Sequence, residues 1–396
     1  MCGYHNKMGK KTVSTLYIIG GVLLLLLTIA SGTARADEWE VYHEELAFIQ
    51  KTRSIAGTSQ KFRRFIDTKG FTQGEGANFF IRVWSAQNGT VEDTLRFSSQ
   101  EETKSIAASL DGESIAVAFF NRPGMKGKER QSSIGCYSVS EKRWVWREDW
   151  PVKFDQARRV QFSPDGREVF VIGFKNIVLY DAKTGKRLEN ITEPLKDYPL
   201  LSMSVRGSVL SPRGRYFVVW QETAPPGHHK WGRFIANKWV TVWDLQTRQQ
   251  IARWKKPEYE TYCAVFTKDE KNILFGSGMG HIRTWSVESQ EMIREWPVAV
   301  NLEGVLDMRF SEDYHYLAIN CAGKNFHIRV YDYSTQKEIQ SFEDVGAAPP
   351  GHLYPMTFFD GSDFFAFAKR KNQVCVYDTK TWKEQWCVSS STKSAD

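Results

Sequence analysis

Very little in this 396-residue sequence offers ready-made chemistry. Its six cysteines and eight histidines include no Cys-x-x-Cys and no His-x-x-x-His spacing, so the sequence carries no zinc ribbon, finger or metalloprotease helix. No glycine-rich phosphate loop, dinucleotide fingerprint or nucleophile elbow is present either. No cofactor is therefore expected, although an enzyme that gathers its groups from many strands would leave no contiguous motif. Charge of one sign is also scarce. The formal +7 rests largely on Lys7, Lys10, Lys11 and Arg35, in a segment without acids; beyond residue 36 there remain 49 basic (53 less these four) against 46 acidic residues, or +3. A balance that small gives no reason to expect nucleic acid as a partner.

One uncharged apolar stretch stands out, residues 12–34, with five consecutive leucines from Leu23. Lysines precede it, and Ala34-Arg35-Ala36 places small residues at −3 and −1 ahead of Asp37 and Glu38. That is the layout of a secretory signal peptide, which predicts a leader over 1–36 and one domain over 37–396 in the periplasm or outside the cell. An uncleaved anchor is the competing reading, because the stretch is long enough to span a bilayer, and only then would the protein be membrane-bound. In a eukaryotic secretory setting Asn88-Gly89-Thr90 and Asn190-Ile191-Thr192 would be glycosylation sequons.

What the sequence does have is repetition. Seven apolar, β-branched runs end in an aromatic followed by a small or acidic residue: IRVWS (81–85), IGCYS (134–138), IVLYD (177–181), VTVWD (240–244), IRTWS (282–286), IRVYD (328–332) and VCVYD (374–378). The aromatics at 84, 137, 180, 243, 285, 331 and 377 lie 53, 43, 63, 42, 46 and 46 residues apart, which suits a four-stranded unit. Ahead of most copies comes a strand entering a tight turn: VQFSPDG (160–166), VLSPRG (209–214), VFTKDE (265–270), RFSEDY (309–314) and FFDGSD (358–363). After the aromatic comes another turn, such as DAKTGK (181–186) or DTKTWK (378–383), and a further strand. Each unit therefore reads as strand a, turn, strand b, loop, strand c, turn, strand d, and such sheets must pack face to face around an axis.

With the aromatic-Asp pair closing strand c and the SPDG turn between a and b, residues 60–390 resemble the WD-repeat family of β-propellers. The resemblance implies an all-β, seven-bladed propeller of four-stranded antiparallel blades, acting as a scaffold for proteins or peptides. Only Trp243-Asp244 is a literal WD pair, and Gly280-His281 starts a strand c instead of preceding a strand a, so the family's buried His/Asp network is not carried over. Residues 39–50 either form a strand of the first unit or pair with the last blade to close the ring.

Past the leader the cysteines are Cys136, Cys263, Cys321, Cys375 and Cys387, an odd set spread over different units, which suits small apolar packing residues. If Asp378 faces Lys383 across the last turn, Cys375 faces Trp386 and Cys387 points to the opposite sheet face. A 375–387 bridge is then not expected unless strand d carries a bulge.

Three insertions depart from the repeat: 122–131 between b and c of unit 2, 222–238 between b and c of unit 4, and 343–355 between unit 6 and unit 7. Loops of these two types emerge at one end of an antiparallel blade. The first insertion holds Arg122, Lys126, Lys128 and Arg130 against Glu129; the second holds Lys230, Arg233 and Lys238 against Glu222, with Trp231 and Phe234 between them. Arg and Trp often dominate interfaces, so this end is expected to receive an acidic protein or peptide, with the propeller itself a monomer. Solvated charge is the plainer reading of any single loop. The string Ala-Pro-Pro-Gly-His occurs twice, placing His228, His229 and His352 in these insertions, with His281 and His327 starting strands c near the same end. The expectation is no metal site and exposed histidines. The rival is a periplasmic propeller hydrolase or cofactor-dependent oxidoreductase using some of these five. Trp146, Trp254, Trp296 and Trp386 recur on strand d, where blade packing is the expected role; their partial likeness to the Trp docking motifs of quinoprotein dehydrogenases fits only the last unit.

Overall fold

The computed structural model describes residues 40–389 except 50–53, 67–71, 97–100, 110, 122–130, 152–155, 174–175, 192–202, 224–236, 256–260, 299–303, 323–326, 344–354 and 370–372. The leader, and with it the question of cleavage or anchoring, lies outside the described residues. Those described form twenty-eight strands and no helix. The strands make seven four-stranded antiparallel sheets, each built from four consecutive strands. This is a seven-bladed β-propeller. The chain divides into two compact units, residues 41–61 with 78–396, which hold the blade cores described here, and residues 1–40 with 62–77.

All seven aromatic-ended runs are strand c of their blades, from Thr72–Ser85 in blade 1 to Gln373–Asp378 in blade 7. Blade 1 consists of β1 (Glu40–Ile49), β2 (Ser54–Ile66), β3 (Thr72–Ser85) and β4 (Val91–Arg96) in that order. Residues 40–49 thus supply blade 1 with its own strand a, and among the described residues no strand is shared with blade 7.

The core is not central. Seven apolar clusters each join one blade to the next, the last linking Val374, Val376, Ala366 and Phe359 of blade 7 to Ile55 and Trp84 of blade 1. Strand alternation explains how one strand serves two junctions: Val374 and Val376 face blade 1, while Cys375 and Tyr377 face blade 6. The strand-c aromatics meet strand d of the preceding blade. Trp146 stacks on Tyr180 with centroids 5.9 Å apart, Trp254 on Trp285 at 3.8 Å, and Trp296 meets Tyr331 edge-on at 5.1 Å. Packing between blades is therefore the role of these tryptophans.

The c–d register corrects the cysteine expectation. Every c–d ladder shifts by one residue next to the strand-c aromatic, between Val376 and Tyr377 in blade 7 and at the equivalent place in the other six. The bulge puts Trp386 opposite Val376 and Cys387 opposite Cys375. Both cysteines then share the face toward blade 6, and they form a disulfide. Cys136, Cys263 and Cys321 are free and buried.

Candidate functional site

The b–c ladders of blades 2 to 7 start level but do not end level. In blades 3 and 5 they run five pairs, and in blades 6 and 7 six. In blades 2 and 4 they run eight, up to Asn121↔Gln131 and Thr223↔Asn237. At roughly 3.3 Å per residue, two or three extra pairs lift these hairpins about 7–10 Å beyond those of blades 3, 5, 6 and 7. They are the hairpins that carry the first two insertions. The third insertion joins strand d of blade 6, ending at Phe342, to strand a of blade 7, starting at Met356. By antiparallel order all three leave the propeller at one end. Arg122, Lys126, Lys128, Arg130, His228, His229, Lys230, Trp231, Arg233, Phe234 and His352 themselves lie outside the described residues.

Two histidines of that end are described. His281 opens strand c of blade 5, half exposed, with Nδ1 2.9 Å from Glu295 Oε1, and Arg283 donates to the same oxygen at 3.0 Å. His327 opens strand c of blade 6 and is buried. Neither joins a group of three metal-ligating side chains among the described residues; the group that does form, Cys375, Glu384 and Cys387, contains the disulfide.

At the opposite end the turns show what the aromatic-Asp pair is for. The aspartate that closes strand c caps the c–d turn: Asp181 Oδ1 accepts from Thr184 N and Oγ1 at 2.7 Å, and Asp378 Oδ1 accepts from Thr381 N and Oγ1 at 2.7 and 2.8 Å. Asp244, the literal WD aspartate, accepts from Gln246 N and Thr247 N and receives Arg215 Nε on its other oxygen at 3.1 Å. The hydrogen bonds from Thr184 and Thr381 hold the Asp181 and Asp378 carboxyls below the usual range, and those from Thr335 and Ser334 hold Asp332 down at about 2. A depressed carboxylate stabilises the fold above its unfolded pKa, near 4, and loses that contribution as pH falls through its folded value. The urea midpoint is therefore expected to fall between pH 4 and pH 2, and less so in Asp181→Asn/Asp332→Asn/Asp378→Asn, which keeps the acceptor oxygens without the charge. An equally steep fall in that variant would remove these turns from the acid response.

The fifth residue of every c–d turn is left-handed, with φ from 52° to 72° across Gly89, Lys142, Gly185, Arg248, Gln290, Gln336 and Trp382. Each meets strand d of the preceding blade, and the partners match. Trp386 covers Gly89 and Trp146 covers Gly185. Lys142 pairs with Asp93 at 3.9 Å and Arg248 with Glu189 at 3.4 Å. Gln336 accepts from Arg294 at 2.6 Å, Gln290 donates to Ile251 O at 2.8 Å, and Trp382 packs against Phe342 at 6.1 Å. Repeat spacing exposed the turn but not this pairing, because the partners lie in different units. It also missed a cavity of about 350 Å³ between blades 3 and 4 at this turn end. The visible signal was the arginine in VLSPRG, where the matching turns of blades 2, 3, 5 and 6 have aspartate. No protein-family model matches the chain, and no curated protein matches it either.

Proposed function

We propose that this chain is a secreted, non-catalytic propeller of the WD-repeat type, and that it binds an acidic protein or peptide through the end carrying its b–c and d–a loops. The observation behind this reading is the pair of eight-pair hairpins in blades 2 and 4, which lead into the two basic insertions. Loops held by a rigid scaffold are where binding residues concentrate. A disulfide in the last blade supports an oxidising compartment, as the leader pattern does.

Affinity capture from the native secreted or periplasmic fraction, with residues 37–396 as bait, tests the reading. Capture of a specific partner is expected, weakened by salt and by at least tenfold in Arg122→Glu/Lys126→Glu/Lys128→Glu/Arg130→Glu, with the melting temperature unchanged. Equal capture by the charge-reversed protein would reject this end as the docking face.

A further inference from the structure

A cleft lies at the opposite end of the propeller, between blades 3 and 4. In four a–b turns the third residue is Asp111, Asp165, Asp269 or Asp313, whose Oδ1 accepts the Ser or Thr hydroxyl two residues earlier at 2.6 Å. Blade 4 has Arg213 at that position, a positive charge where those four turns carry a negative one. The turn is held from outside instead, with Arg213 N donating to Glu270 Oε1 of blade 5 at 2.5 Å. The Arg213 guanidinium has no partner among the described residues and lines the cavity of about 350 Å³ with Arg215, Arg248, Phe170 and Leu245.

The other charges in the cleft are committed. Asp165 Oδ1 is occupied by Ser163 Oγ and Arg167 N at 2.6 and 3.1 Å. Arg215 is held by Asp244 at 3.1 Å, and Arg248 lies 3.4 Å from Glu189 and 4.0 Å from Glu168. Of the three arginines, Arg213 is the one whose guanidinium has no carboxylate partner among the described residues. The walls are rigid, since Glu168 N and Tyr216 N each donate to their turn's serine hydroxyl at 2.9 Å, and Pro164 abuts Gly214. The volume falls in the range of small-ligand sites. A planar guanidinium at an open cleft that also holds the apolar side chains of Phe170 and Leu245 is matched in geometry and charge to a carboxylate.

We propose that the blade 3–blade 4 cleft binds a carboxylate, offered by an acidic side chain of a peptide or by a free small dicarboxylic acid, with Arg213 as its principal anchor. The site is independent of the loop face at the other end.

Calorimetric titration of the purified protein with a capped tetraglutamate peptide and, separately, with glutarate tests this. At least one is expected to bind, with affinity falling roughly ten- to a hundredfold in Arg213→Ala and less in Arg213→Lys, which keeps the charge but loses the fork. Arg143→Ala, just after the c–d turn of blade 2 at the same end and paired with Glu141 away from the cavity, is expected to bind like wild type, as is the charge-reversed 122–130 variant. Binding of the peptide alone assigns the carboxylate to a protein partner; binding of glutarate as well assigns it to a free acid. No binding of either by the wild type, undiminished binding by Arg213→Ala, or an equal loss in Arg143→Ala would overturn the site. Arg213→Ala removes a side chain without partners, so its melting temperature should match wild type.

Discussion

Gly89→Ala is expected to lower the unfolding free energy by about 2–4 kcal/mol, against about 1 kcal/mol for Gly166→Ala. Both glycines have φ of +71°, so both substitutions incur the left-handed backbone penalty. They differ in what the new methyl meets. At Gly166 nothing lies within 4 Å, whereas at Gly89 the methyl would stand 2.7 Å from the Trp386 ring. That indole cannot easily give way, because its Nε1–H donates to Ala86 O at 2.9 Å and its ring belongs to the packing between blades 7 and 1. Overpacking of this kind typically costs 1–3 kcal/mol. The contact also spans 300 residues and joins the two ends of a ring that shares no strand between blades, so displacing Trp386 loosens the closing junction itself. Urea unfolding of the two variants beside wild type measures the difference. Equal losses would mean that Trp386 does not bear on Gly89 and that the closing seam depends on the buried cluster alone.

The second large effect belongs to the disulfide. Replacing Cys375 and Cys387 together with alanine is expected to cost about 2–3 kcal/mol, the loop-closure value for a bridge spanning 12 residues. Thiol labelling in denaturant checks the bridge directly: reduction should add two reactive thiols to those of Cys136, Cys263 and Cys321. Denaturant is needed because burial pushes the Cys136 thiol up to about 11 and Cys263 well above its ordinary value, leaving little thiolate at neutral pH. Full labelling before reduction, with unchanged stability in the double variant, would show two free cysteines facing each other.

Much of the fold was legible because the residues that carry it repeat. Each strand c ends in an aromatic for the same reason, to pack on the preceding blade, and each following Asp or Ser closes the same turn. Seven copies of one local solution are visible without knowing where any copy sits. The candidate loop face was legible in the same way, as departures from the repeat, and topology alone places those departures at one end. The Cys375–Cys387 pairing was not legible, because a one-residue bulge in strand d reverses which side chains share a face, and nothing in EQWCV (384–388) marks the bulge.

The sequence by itself determined the class of fold, the number of blades, the identity of every strand c and the location of the insertions, since each of these depends on local pattern and chain order. Tertiary structure alone decided that the ring closes without a shared strand, that Trp386 seats on Gly89 and Trp146 on Gly185, and that Arg213 faces a cleft. Those outcomes depend on which residues of one blade meet the next, and the meeting residues are tens to hundreds of positions apart with partners chosen junction by junction: indole over glycine, lysine beside aspartate, arginine beside glutamate.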